Sequence, residues 1–375
     1  MNSIVGAGLV SARFLINVRA GTSSAPTVLL LTLLLFASFS IARAQDELPP
    51  PPPAPTPKPT PYVPKDSDYD IVRVNSNLVI VPVSVTDAAT GQPVLGLGIK
   101  DFRLDEEGRP QEITQIGDPE QVPLEIAILL DISASVNARI DFEKEAAARF
   151  LKQVLKPTDR ATVFTISIIP RMELQRASAD DAAAKLKSIQ IAKGPTAFFD
   201  TVVEAARYLA ASTPPQHRRV IVVISDGEDN YSERIKAAIG DTAESQRSAS
   251  QQTQALAYSR AQSAVEREVQ RAEAVFYSIN PSGQGLRLNV ISQRAQDGMA
   301  RLANATGGNS FVPERLEDLE AVFRQIASEL RSQYLLQYYS NDQTQNTNFR
   351  RIQVTTPARP NLRVRARQGY YPKSK

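Results

Sequence analysis

The chain has 375 residues, a formal net charge of +3 and a pI near 9.0, with 42% hydrophobic and 22% charged residues. It contains no Cys, no Trp and a single His, His217. Those absences exclude disulfides, thiolate-ligated zinc, iron–sulfur clusters and a thiol nucleophile, and they argue against multi-His metal sites and His-based triads. The length suggests two or three domains with a genuine core.

Residues 1–44 carry Arg13, Arg19 and Arg43 and no acid. The run from Pro26 to Ile41 is apolar apart from small hydroxyl residues, and Ala42-Arg43-Ala44 places a small-x-small pattern before Gln45. A basic flank, a short apolar stretch and a small-residue site are the layout of a signal peptide. The alternative is an uncleaved anchor in the inner membrane, for which the run is short against a span of about 20 residues. The expected destination is the periplasm, the cell surface or the medium, with no obligate membrane insertion after cleavage. Cleavage leaves 40 basic and 40 acidic residues, so the basic pI belongs to the precursor and a nucleic-acid partner is not expected.

Residues 45–70 read as a linker. Ten prolines between Pro49 and Pro64 favour an extended polyproline helix, rising about 3.1 Å per residue, and make a semi-rigid spacer. Residues 71–118 read as a small N-terminal β region. Leu78–Val85 is rich in β-branched residues, Asp87–Gly91 is a turn, and Phe102–Leu104 followed by Glu107-Gly108-Arg109 reads as a hairpin.

From residue 119 to 332 strands alternate with helices, the pattern of a doubly wound parallel sheet. Leu124–Leu130 and Arg219–Ser225 contain continuous apolar runs, as expected for strands buried on both faces. Further strands are expected at Asp159–Ile168, Ala274–Ile279 and Ser310–Val312. Helices are expected at Ile140–Leu155, Ala179–Ile189, Ala197–Ala211, a segment ending at Ala303, and Leu316–Arg331. Residues 230–271, rich in Ala, Ser and Gln, read as a surface helix longer than a connection requires, or as a partner-binding insertion. Residues 333–375 return to β pattern, and residues 343–375 hold eight basic residues and no acid. Arg363, Arg365 and Arg367 alternate, so they share one strand face, read as solvated or as a patch for an acidic partner.

Two of the apolar strands run directly into an acid, Asp131 and Asp226. In an open parallel sheet, ligands bind outside the carboxyl ends of the strands. Asp131-x-Ser133-x-Ser135 presents one carboxylate and two hydroxyls at alternate positions, and Gly194-Pro195-Thr196 adds a hydroxyl at a helix start. Asp131, Ser133, Ser135, Thr196 and Asp226 thus form an all-oxygen donor set. It suits a hard divalent cation, Mg²⁺ best, with Mn²⁺ or Ca²⁺ as substitutes. Each motif alone is ordinary turn or cap chemistry; their order along the chain is the stronger signal.

On these residues, the stretch from about Leu124 to Arg331 resembles a von Willebrand factor A (VWA) domain. Asp131-x-Ser133-x-Ser135, Thr196 and Asp226-Gly227 match that family's metal-ion-dependent adhesion site (MIDAS). Asp159-Arg160 and Leu302–Gly308 match further family patterns. The signal segment, Leu78–Ile113 with Asp101-Phe102, and the terminal Gln368-Gly369-Tyr370-Tyr371 resemble the exported "VWFA-related" proteins first described from acidobacteria. The resemblance implies a Rossmann-like α/β domain that binds protein ligands through the metal, the partner supplying an Asp or Glu. It also implies that the helix Leu316–Arg331 shifts when such a ligand binds. Pro195 stands where many relatives have Gly, and Glu228 and Asp229 add acidic charge that is read as solvated.

The expected architecture is therefore a VWA-type α/β domain flanked by, or inserted into, a small β-sandwich, a plan that resembles integrin β subunits. The alternative is two separate add-on sheets. The expected function is an exported, metal-dependent protein-binding module, with no enzymatic activity. The competing reading is a structural component of a cell-envelope assembly in which the metal is not essential. A metal-dependent hydrolase would need a general base, and beyond Glu228 or Asp229 no constellation supplies one.

Overall fold

The computed structural model describes residues 78–133, 139–192, 194–240, 242–283, 289–342, 344 and 346–372. The expected signal segment, the linker, residues 71–77 and Ser135 lie outside the described residues.

In chain order the strands and helices begin with β1 (Leu78–Asp87), β2 (Arg103–Glu106), β3 (Arg109–Gln111) and β4 (Ile113–Gly117). There follow β5 (Leu124–Asp131), α1 (Ile140–Val154), β6 (Arg160–Ile166), β7 (Arg171–Ala177), α2 (Ala179–Ser188), α3 (Phe198–Ser212) and β8 (Arg218–Ile224). Next come α4 (Glu233–Ile239), α5 (Ala243–Ser248), α6 (Gln251–Arg271), β9 (Ala274–Ile279), α7 (Val290–Thr306), β10 (Ser310–Phe311) and α8 (Leu319–Ser332). The chain closes with β11 (Tyr334–Tyr339), β12 (Arg350–Thr355), β13 (Leu362–Ala366) and β14 (Gly369–Tyr370).

Six strands form one sheet in the order β10-β9-β8-β5-β6-β7. All its pairings are parallel except β6 with β7. The α/β fold follows from strands that bury both faces. Along β5, Ile126, Ile128 and Leu130 pack with α1, α2 and α8 on one side, while Ala127 and Leu129 pack with α3, α6 and α7 on the other. The antiparallel edge strand β7 is absent from the sequence reading. Its residues are half-exposed or exposed throughout, so no apolar run announces it.

The long segment after Asp226 is three helices rather than one. Its largest, α6, buries Ala257, Ala261, Val265 and Val269 under the sheet. These are small or single residues at i, i+4 spacing, which explains why the stripe looks sparse in sequence. It is a covering helix of the core, not an added insertion.

The remaining strands build two four-stranded antiparallel sheets, β13-β1-β11-β4 and β14-β12-β2-β3. Both contribute to one core, in which Val81 and Val83 of β1 and Leu336 and Tyr338 of β11 meet Leu104 of β2 and Ile352 of β12. Glu106, 2% exposed, sits inside that core. It accepts hydrogen bonds from Tyr338 Oη at 2.6 Å, Ser340 Oγ at 2.6 Å and Tyr370 Oη at 3.2 Å, and pairs with Arg350 at 3.5 Å. The terminal Gly-Tyr is thereby used to satisfy a buried acid.

The basic face of β13 is not simply solvated. Arg365 lies 2.6 Å from Glu329 of α8, close as an ion pair although not aligned as a hydrogen bond, with Glu329 buried. Arg367 donates to the Ile80 carbonyl at 2.9 Å. Among the described residues no helix is long and apolar enough to cross a membrane.

Candidate metal centre

Asp131 is the last residue of β5 and is wholly buried. Its Oδ1 accepts the Ser133 N–H at 3.0 Å and its Oδ2 accepts Ser225 Oγ at 2.7 Å. Ser225 in turn accepts the Gly227 N–H at 2.9 Å. Since β5 and β8 are paired neighbours, Leu130 against Ile224, this hydroxyl ties the two strand ends together and brings Asp226 beside Asp131. Gly227 has φ +77, and a Cβ there would stand 2.7 Å from Met299 Cε of α7, so the turn demands glycine.

Thr196 reaches the same edge from the loop before α3 and is nearly buried. Its N–H donates to Asn230 Oδ1 at 2.7 Å, and its carbonyl accepts the N–H groups of Asn230 and Tyr231, each at 3.1 Å. Ser133 is 5% exposed on the turn after β5. The structure thus gathers Asp131, Ser133, Thr196 and Asp226 at the carboxyl edge of the sheet; Ser135 lies outside the described residues. His217 is elsewhere. It contacts the buried Glu125 at 3.1 Å, near the opposite end of β5 from Asp131.

The acids beyond Asp226 are half-buried and hydrogen-bonded rather than simply solvated. The N-cap position of helix α3 is Ala197, which has no side-chain oxygen, and Asp229 takes that role by accepting the Phe199 N–H at 2.7 Å. Asp229 also accepts Ser232 Oγ and the N–H groups of Tyr231 and Ser232. Glu228 accepts Ser292 Oγ at 2.5 Å. These are structural ties that hold the Thr196 and Asp226 loops to each other and to α7.

The sequence reading passed over Glu143. It lies on α1, fully buried, and neither carboxylate oxygen has a hydrogen-bond partner. Burial, then the negative charge of Asp131 and that of Asp226, push its carboxyl up to about 8, against a partial offset from Arg139. Burial likewise pushes Asp226 up to about 6 and raises Asp131. The signal was present in the helical spacing: Glu143 falls on the stripe of Ile140, Ala147, Phe150 and Val154, a core position held by an acid.

This arrangement fits a cation. Two buried acids, Asp131 and Glu143, and the half-buried Asp226 act on one another, and Glu143 carries two orphaned oxygens, which is costly in a buried polar group. Among the described residues no three His, Cys, Asp or Glu side chains form a metal group by themselves. The donors gathered here are two carboxylates plus hydroxyls, with Glu143 behind them as a carboxyl that burial and the two aspartates keep largely protonated near pH 7. An all-oxygen set of this kind matches a hard divalent ion.

The α/β unit carries a recognised pattern: residues 126–228 match the family model described as von Willebrand factor type A domain. Several solved structures are similar. One is proximal thread matrix protein 1 from the mussel byssus with a zinc-occupied MIDAS motif, at 15% identity and TM-score 0.42 over 60% of this chain and 49% of that one. A von Willebrand factor type A protein from Catenulispora acidiphila gives 14% identity and TM-score 0.41 over 69% and 51%. The PilB minor pilin from Streptococcus sanguinis gives 14% identity and TM-score 0.42 over 56% and 62%. The chain spans about half the length of the first two. No curated protein matches the chain.

Proposed function

We propose that this protein is an exported, metal-dependent protein-binding module rather than an enzyme. Asp131, Ser133, Ser135, Thr196 and Asp226 would hold the ion, with Mg²⁺ the best match and Mn²⁺ or Ca²⁺ substituting. When bound, the ion supplies a positive centre that attracts an Asp or Glu carboxylate of a partner protein. The chain's own residues prepare that site. Ser225 and the Ser133 N–H fix the Asp131 carboxylate, Asn230 fixes the Thr196 backbone, and Asp229 locks the α3 start beside it. Export is supported by the layout of residues 1–44.

The observation that carries the reading is the buried acid cluster at the carboxyl edge, with the Glu143 oxygens unpartnered. Calorimetric titration of Mg²⁺ or Mn²⁺ into wild type and Asp131→Ala tests it. The expected result is one bound ion in the wild type and none in the variant. A wild type that takes up neither ion refutes the proposal.

A further inference from the structure

A cavity of about 310 Å³ opens beside Ser133. Ile168, Ile169 and Pro170, on the turn between β6 and β7, form one wall, and Ala192 and Pro195 face them from the loop before α3. The two walls meet closely: a Cβ on Gly194 would stand 2.9 Å from Ile168 Cδ1. The size lies at the small end of ligand pockets, about 300–1,000 Å³.

The walls are held in place by the elements that hold the metal centre. Ala197 N–H donates to the Ser167 carbonyl at 2.8 Å, joining the β6–β7 turn to the segment that carries Thr196. Ser167 Oγ donates to the Ile169 carbonyl at 3.2 Å. Ala192 N–H donates to the Ile132 carbonyl at 2.9 Å, joining the opposite wall to the Asp131 loop. The cavity is therefore continuous with the carboxylate-capturing edge through Ser133.

Its chemistry is complementary to a particular partner. Ile169 is 71% exposed and Ile168 39%, so these side chains add little to the fold's own core. Arg171, exposed at the rim, makes no ion pair among the described residues. An apolar recess next to a centre that draws carboxylates, edged by a cation, favours an acidic chain segment with an aliphatic side chain next to the captured acid.

We propose that this cavity is a second subsite, which takes a Leu, Ile or Val side chain adjacent to the acid held at the metal, with Arg171 favouring further acidic residues. The inference rests on the metal reading above. The test uses the full chain with Mn²⁺ and three acetylated, amidated hexapeptides, Gly-Gly-Glu-Leu-Gly-Gly and its Leu→Ala and Glu→Gln forms, titrated by NMR. Mn²⁺ uptake is read separately by electron paramagnetic resonance. The Glu-Leu peptide should bind at least about tenfold tighter than the Glu-Ala form, the gain expected from partial burial of the three extra carbon atoms in an open recess. The Gln form should lose binding. Ile169→Ser, at an exposed position, should bring the Leu and Ala peptides to the same affinity. Equal affinities in a wild type that takes up Mn²⁺ overturn the subsite while the metal reading stands. A wild type that takes up no Mn²⁺ overturns the metal reading, and the subsite falls with it.

Discussion

Replacing Glu143 should make the metal-free protein more stable, an unusual outcome for a core substitution. Burial, reinforced by Asp131 and Asp226, lifts the Glu143 carboxyl from 4.5 to about 8. A raised acid pKa means that the folded state keeps its proton while the unfolded chain releases it. The group is neutral at no cost below pH 4.5, and stability is then lost as pH rises toward the folded value. The loss is about 1.4 kcal/mol per pH unit, reaching about 3 kcal/mol at pH 7 and about 5 kcal/mol above pH 8. Glu143→Leu, close in volume and without charge, should abolish this slope. In EDTA at pH 7 it should exceed wild type by about 3 kcal/mol. Glu143→Gln should be equally flat but lower by about 1–3 kcal/mol, because its buried amide lacks partners. Saturating Mg²⁺ should narrow the gap, since the ion supplies the missing positive charge. Urea unfolding followed by circular dichroism from pH 5 to 9, with and without Mg²⁺, measures all of this. Asp131 and Asp226 titrate in the same cluster, so the quantity to compare is the difference between wild type and variant. Parallel pH profiles for wild type and Glu143→Leu in EDTA would refute the placement of Glu143 in the field of the two aspartates.

Three further substitutions probe the surroundings. Asp229→Ala removes the cap of α3 and should cost about 1–2 kcal/mol, read by urea unfolding; an unchanged midpoint would show that the cap is not needed. Gly227→Ala forces a left-handed φ on a residue with a Cβ and should cost about 1–3 kcal/mol. If its thermal midpoint equals that of wild type, the turn is not strained as described. Glu106→Ala leaves Arg350 and two tyrosine hydroxyls without their shared acceptor in the sandwich core and should cost about 3–5 kcal/mol. A loss below 1 kcal/mol in the same assay would contradict the network's importance.

Much of the site was legible because buried parallel strands announce themselves. The uninterrupted runs Ile126–Leu130 and Val220–Ile224 mark strands covered on both sides, and whatever follows them must sit at the ligand edge. Asp131 and Asp226 were found in that way. Glu143 was not, because a helix mixes its buried and exposed residues along the chain, and one acid between Phe142 and Lys144 looks like surface until the turn is counted. Asp229 was misread for a different reason. Its partner, the Phe199 N–H, is 30 residues away, and no local pattern shows a cap supplied at that distance. Strand β7 was missed because Arg171, Glu173 and Arg176 break any apolar alternation; an edge strand needs only one side buried, and this one buries little. The β segments before and after the α/β unit were visible as strands. The register of β1 on β11, Val81 opposite Leu336, joins residues too far apart in sequence for any local rule to supply.

The way the α/β unit is mounted bears on the helix shift that the VWA resemblance implies. The chain leaves the sandwich from β4 and returns in β11, which are paired neighbours, Gly117 opposite Leu335. One guanidinium spans both connections: Arg218 donates to the Pro119 carbonyl at 2.9 Å on the way in and to the Leu330 carbonyl at 2.7 Å on the way out. Leu330 belongs to α8, and its neighbour Glu329 faces Arg365 of β13. The last turn of α8 is therefore held by the sandwich as well as by its own domain. A displacement of this helix along its axis has to break the Arg218 contact and leave Glu329 buried without its cation, or else carry β13 with it. The second course avoids stranding a buried charge, which costs several kcal/mol. In this mounting, any displacement of α8 would act on β13 through the Glu329–Arg365 pair and, through the Val83–Asp87 pairing, on β1.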